Sequence, residues 1–188
     1  MSDIDELHQY AIRLAQEQNS SGMIMTIEKE LLHYEILNAM DEGGLLDRLV
    51  FQGGTSLRLC YGAERYSEDL DFSGGRDFDR KGLDTLKDCV EHAVGDRYHV
   101  SISVKEPRQV KSLVSAWTVI VDTTPKYKDV PRQRIKIEVA SIEAHDPVIR
   151  PLKVNYEGWV TIPTSCWPWK AKRRFLRIRS NLSSARIM

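Results

Sequence analysis

Between Met23 and Leu46 apolar residues recur with a helical period. Ile24, Ile27, Leu31 and Tyr34 share one face, with Leu32, Ile36 and Met40 beside it. The spacing predicts a long helix, with Thr26 as its N-cap and Glu28 and Glu30 near the positive end of its dipole. A shorter helix is predicted from Ile4 to Glu17. Leu49-Val50-Phe51-Gln52 reads as a short buried strand ending at two glycines, and Thr55 to Tyr61 as a short helix stopped by Gly62. Leu70 to Ser73 is a second strand, broken by Gly74-Gly75. Phe78 to Val94 is a further helix. Strands then follow at Tyr98–Lys105, Ala116–Asp122 and Arg134–Ser141, with a polar loop from Thr124 to Pro131. The last strand sets Ile135, Ile137 and Val139 against Lys136 and Glu138. This order predicts an α+β fold: a mixed sheet with helices packed mainly on one side.

Composition adds bounds. A chain of 188 residues can bury one sizeable core. It has no apolar run of membrane-spanning length and no signal-peptide pattern. Cys60, Cys89 and Cys166 are scattered, odd in number and without metal-site spacing, as reduced thiols would be. These features predict a cytoplasmic protein. The charge is uneven: net zero overall, but Trp167 to Met188 carries seven Lys or Arg and no acid. Such a tail suits nucleic acid. Residues 1–163 read as one domain with N-terminal helices, and 164–188 as a basic, irregular tail.

The chemistry concentrates in Gly53-Gly54-Thr55-Ser56 and Asp69-Leu70-Asp71. Side chains at i and i+2 on a strand share a face, so Asp69 and Asp71 point together while Leu70 and Phe72 enter the core. Paired carboxylates offer the hard oxygen ligands that Mg²⁺ prefers. Glu138, on the polar side of its strand, can supply a third; Lys136 shares that face. The glycines let a backbone approach phosphates closely at a helix start. Thr55 or Ser56 can donate a hydroxyl to a phosphate oxygen, and Arg58 or Arg65 can pair with triphosphate charge. A Gly-Gly turn or an Asp-x-Asp pair alone is usually only a turn or a solvated face. In this order they form a nucleotide-and-metal pattern. The five histidines show no ligand spacing, and no Ser/His/Asp or Cys/His arrangement is present.

Thirteen residues separate Thr55 from Asp69, and the whole pattern resembles the nucleotidyltransferase-fold signature. More narrowly, Phe51 to Leu57 and Arg65 to Phe72 resemble the AbiEii/AbiGii toxin family of bacterial toxin–antitoxin and abortive-infection systems, over roughly Leu31 to Pro163. The resemblance implies Mg²⁺-dependent transfer of a nucleotide from an NTP onto RNA, in some members the tRNA 3′ end, and a cognate antitoxin. Asp69 and Asp71 match the metal ligands, Gly54, Thr55 and Ser56 the phosphate-binding turn, and Glu138 the third acidic position.

The chain departs from the family at its end. Members continue with a helix resembling Glu-Ile-Leu-Ala-Asp-Lys and a helical segment containing Arg-Asp-x-x-Asp. Neither occurs here, so the C-terminal helical part is expected to be missing. One permitted codon choice for Arg173 to Arg179, regrouped from the third base of its first codon, reads Glu-Ile-Leu-Ala-Asp-Lys, as an out-of-frame tail would. Two alternatives follow: a weak or inactive nucleotide-binding remnant, or a module that binds RNA or the antitoxin.

Overall fold

The computed structural model describes residues 6–107, 113–153, 156 and 175–179. Helix α1 (Glu6–Glu17) packs beside α2 (Ile24–Glu42). Strand β1 (Val50–Gln52) runs into α3, which starts at Gly53–Ser56 and continues through a wider-wound turn, Leu57–Tyr61. Strand β2 (Leu70–Ser73) is followed by a short turn of helix at Arg80–Leu83. Next comes α4, from Leu86–Val90 through Glu91–Gly95 to Asp96–Tyr98. The remaining strands are β3 (Ser101–Lys105), β4 (Val114–Asp122), β5 (Gln133–Ala140), β6 (Pro147–Pro151) and β7 (Phe175–Arg179).

The described strands form one mixed sheet in the order β3-β4-β5-β2-β1-β7-β6. β2 runs parallel to β5, and β1 parallel to β7; the other pairs are antiparallel. The α+β architecture predicted from the sequence is therefore the one observed. One sheet face carries Phe51, Leu70, Phe72, Trp117, Val119, Ile135, Ile137, Val139 and Ile178, which join Leu31, Ile36, Leu86 and Val90 of the helices in a single core. The Phe51 and Phe72 rings stack at 5.1 Å beneath the strand pair that bears Asp71. Among the described residues no helix is long and apolar enough to cross a membrane.

Strand β6 is absent from the sequence reading, Tyr98 ends a helix instead of starting a strand, and three further outcomes differ from that reading. α2 starts at Ile24 behind Met23, with no side-chain cap, so Thr26 lies inside the first turn instead of capping it. α2 is also buried more deeply than its apolar face alone requires. It is buried from Leu31 through Met40, and its charged residues are paired. Glu28 accepts from His8 at 2.9 Å and from Gln133 at 2.6 Å, Glu30 from Arg58, and Glu35 from Arg97 at 2.9 Å. Burying these carboxylates would be costly without partners. Lastly, residues 175–179 form a strand within the segment read as an irregular tail. Leu176 and Ile178 are buried and Arg177 is exposed, the alternation of a half-buried strand wedged between β1 and β6. Trp159, Trp167, Trp169 and Cys166 lie outside the described residues.

Candidate active site

The site grows out of the β1–α3 turn. Gly53 has φ +77, a conformation that glycine adopts without the steric cost an L side chain meets. Its bare α-carbon also makes room for Asp71: a β-carbon there would lie 2.2 Å from Asp71 Oδ2. Gly54 makes room in the same way for Ser67, whose Oγ would stand 2.9 Å from an added β-carbon. Both glycines are exposed. Gly62, at φ +79, ends the helical turn in the left-handed region, as its position predicts.

Register then aligns the carboxylates. Gln52 faces Asp71, and Asp71 faces Glu138, across β1, β2 and β5. In-register neighbours share a sheet face, with strands about 4.8 Å apart. Asp69 precedes Asp71 by two residues and belongs to the same face. The sequence-predicted trio thus occupies one face, opposite the core. Burial first, and then the charges of Glu138 and Asp69, hold the Asp71 carboxyl above its ordinary range, while Lys136 opposes the rise. Lys136 Nζ sits 2.6 Å from Glu138 Oε1, and that contact raises the lysine's own proton affinity.

These side chains do not close into a coordination cage. Among the described residues no three His, Cys, Asp or Glu side chains form a group that could hold an ion, and Glu138 is turned toward Lys136. The donor set nevertheless fits a divalent cation. It consists of hard oxygens on one face, where burial first and the neighbouring carboxylates second disfavour the charge on Asp71, and a cation would offset both.

The hydroxyls and one arginine are engaged within the protein. Thr55 and Ser56 are buried. Thr55 Oγ1 donates to the Asp69 carbonyl, and Ser56 Oγ donates to the Gly53 carbonyl at 2.9 Å. They brace the turn and the carboxylate strand. Arg58 is buried as well. Its Nε donates to Glu30, its Nη1 donates to the carbonyls of Ala63 and Glu64 at 3.0 and 2.8 Å, and its guanidinium lies 3.7 Å from the Tyr66 ring centre. A guanidinium held this way shapes the loop before Asp69. Arg65 is exposed.

The structure adds positioning groups that the sequence did not mark. His33, buried in α2, donates Nε2–H to the Glu68 carbonyl at 3.0 Å, and Lys29 donates to the Glu68 carboxylate at 2.8 Å. Burial lowers the His33 pKa to about 4, so its ring is neutral at physiological pH. Helix α2 and Thr55 therefore hold the Glu68–Asp69 backbone from two sides. These partners lie 35 and 14 residues away in sequence, beyond any local pattern. On the other side of Asp71, a cavity of about 400 Å³ opens beside Gln52, lined by Arg76, Ile142, Glu143 and His145 among others. Its wall is fixed where Gly74 and Gly75 N–H donate to the Ala140 and Ile142 carbonyls at 2.9 and 3.0 Å.

A mixed sheet with a glycine turn running into a helix, and an Asp-x-Asp strand beside a third carboxylate, defines the nucleotidyltransferase class of fold. Comparison with known families makes this specific. The family model described as nucleotidyl transferase AbiEii toxin, type IV toxin–antitoxin system, matches residues 35–165, and the chain belongs to that family. Among solved structures, JHP933 from Helicobacter pylori is 22% identical, over 82% of this chain and 53% of its own, with a TM-score of 0.47. A candidate nucleotidyltransferase from H. pylori is 24% identical, over 68% of this chain and 55% of its own, with a TM-score of 0.46. The chain thus spans about half the length of the solved structures it matches. No curated protein matches it in sequence.

Proposed function

We propose that the chain is a cytoplasmic toxin that transfers a nucleotide from an NTP to an RNA acceptor, tRNA, in a Mg²⁺-dependent reaction, and that a cognate antitoxin opposes it. The observation that carries this reading is the in-register Asp71–Glu138 pair beside the Gly53 turn. A carboxylate row against exposed glycine backbone is what a triphosphate and its counter-cation require.

In this reading the acceptor hydroxyl attacks the α-phosphorus of the NTP. The new O–P bond forms as the bond to the β-phosphate bridge breaks, and pyrophosphate leaves. The first-turn N–H groups at Gly53 and Gly54, which lack intrahelical partners, face the phosphates. Glu138 takes the proton of the acceptor hydroxyl, and exposed Arg65 approaches the departing charge. The cavity beside Gln52 receives the organic part of a substrate. Mg²⁺ held by Asp69, Asp71 and Glu138 would neutralise the triphosphate and polarise the attacking hydroxyl.

Incorporation of labelled NTPs into total tRNA with and without Mg²⁺, beside Asp69→Ala and Asp71→Asn, tests the proposal. Label with the wild type and none with either variant is the expected result. Triphosphate binding without label in the wild type would instead identify a nucleotide-binding remnant.

A further inference from the structure

The open sheet face is electrically polarised along β5. Residues 125–136 contain five Lys or Arg and one acid, Asp129. Beyond Glu138 the same strand leads to Glu143 and Asp146, and Arg76 is paired to Glu143 at 3.2 Å. On the basic side Arg134 and Lys136 alternate outward from β5. Thr118 lies opposite Lys136, and Lys105 opposite Thr118, so both lysines sit on that open face about 10 Å apart. Arg134 is about 13 Å along the strand from Glu138. At the strand's start the β4–β5 connection is folded by Tyr127 N–H to the Thr124 carbonyl at 2.9 Å and Val130 N–H to the Tyr127 carbonyl at 3.2 Å. That geometry presents Tyr127 54% exposed, with Lys128 beside it. Asp122, the acid nearest this region on β4, is neutralised by Arg132 at 3.0 Å.

We propose that Lys105, Arg134, Lys128 and Tyr127 form the track along which an unpaired RNA strand reaches the carboxylates, entering from the β4–β5 connection. This rests on the reading of the site as an RNA-directed transferase. A row of cations with one exposed aromatic is the arrangement that binds single strands, phosphates on the charges and a base on the ring. Toward Glu143 the charge is balanced by Arg76, so the cations gather at the β4–β5 end, from which a phosphate backbone approaches. Lys136 is engaged with Glu138 and belongs to the site rather than the track.

The test is the affinity for a short unpaired RNA over a range of KCl concentrations, with EDTA present so that no transfer occurs. The wild type is compared with Lys105→Glu/Arg134→Glu, Lys128→Glu and Tyr127→Ala, and with Lys87→Glu on α4 as a control from the far side of the core. The track variants should each bind about tenfold or more weakly. The charge variants should also have a log–log salt slope shallower by about 0.7 for each phosphate no longer neutralised, with unchanged thermal unfolding. Lys87→Glu should bind like the wild type. Unchanged affinity and slope in the track variants would overturn the proposal, and so would equal binding of polyglutamate, which would mark a surface for acidic proteins. The two readings fail separately. Normal tRNA labelling with unaltered RNA binding in the variants removes the track and leaves the enzyme. Lost RNA binding in the variants of a protein that labels nothing removes the enzyme and leaves the track.

Discussion

Asp71 and Gly53 share a space that only one side chain can fill: the aspartate carboxylate lies where a β-carbon on residue 53 would stand, 2.2 Å from Oδ2. The glycine of the turn and the second carboxylate of the strand are therefore one structural unit. The turn is tight because the carboxylate needs the room.

Gly53→Ala should disable the site through two independent effects. The left-handed backbone at φ +77 costs an alanine about 1–2 kcal/mol, and the β-carbon must displace Asp71. A displacement of about 1 Å at a reacting group can cost a hundredfold in rate. Denaturant unfolding should show a loss of about 1–3 kcal/mol, and tRNA labelling a fall of about a hundredfold or more. An alanine variant with wild-type labelling would show that the cradle is dispensable.

Thr55→Val should act at a distance from any phosphate. Valine keeps the shape but leaves the Asp69 carbonyl without its buried donor, a loss of about 1–3 kcal/mol. Thr55→Ser retains the donor and should stay near wild type in stability and labelling. If the serine variant is as impaired as the valine variant, the hydroxyl is not what positions Asp69.

Much of this site was legible in the chain because its parts are local. The β1 strand, the glycine turn, the Gly62 stop and the Asp69-Leu70-Asp71 alternation depend on residues within a few positions of one another. Glu138 could be placed by the period-two pattern of its strand alone. The parts that were not legible are long-range. Nothing near His33 indicates that its ring holds the Glu68 carbonyl, and nothing near Arg58 indicates that Glu30 waits in another helix. A buried arginine and a phosphate-binding arginine look the same in sequence, because only tertiary contacts distinguish them. β7 was obscured because Arg173 to Arg179 reads first as a basic run. Its alternation matters only once β1 and β6 offer it edges on both sides.

The two arginines of the loop should separate cleanly. Arg58→Ala leaves Glu30 buried without its cation, and breaking such a pair costs about 3–5 kcal/mol; its effect should appear first in unfolding. Arg65→Ala, at an exposed position, should leave unfolding within about 0.5 kcal/mol of wild type and weaken NTP binding. Triphosphate affinity by calorimetry, read beside denaturant curves, distinguishes them. Weakened unfolding in Arg65→Ala with unchanged NTP affinity would reverse the assignment.

Helix α2 carries two buried titratable groups whose contributions to stability run oppositely with pH. Burial raises the Glu35 pKa from 4.5 to about 7, with Arg97 opposing, and Tyr98 and Glu42 also face it. Below about pH 4.5 the carboxyl is protonated in both folded and unfolded chains and costs nothing. As pH rises toward 7 the unfolded chain releases its proton while the folded chain retains it, so stability falls; above pH 7 the loss is complete. His33, lowered from 6.5 to about 4, does the reverse: stability is retained above pH 6.5 and lost as pH falls toward 4. The wild-type curve mixes the two, but comparison with Glu35→Gln cancels the histidine. The glutamine variant should match the wild type near pH 4.5. It should become the more stable of the two, by on the order of 2–3 kcal/mol, at pH 8. Parallel stability curves from pH 4.5 to 8 would show that Arg97 holds Glu35 ionised throughout, and that this buried pair stabilises the helix on which His33 and Lys29 position the carboxylate strand.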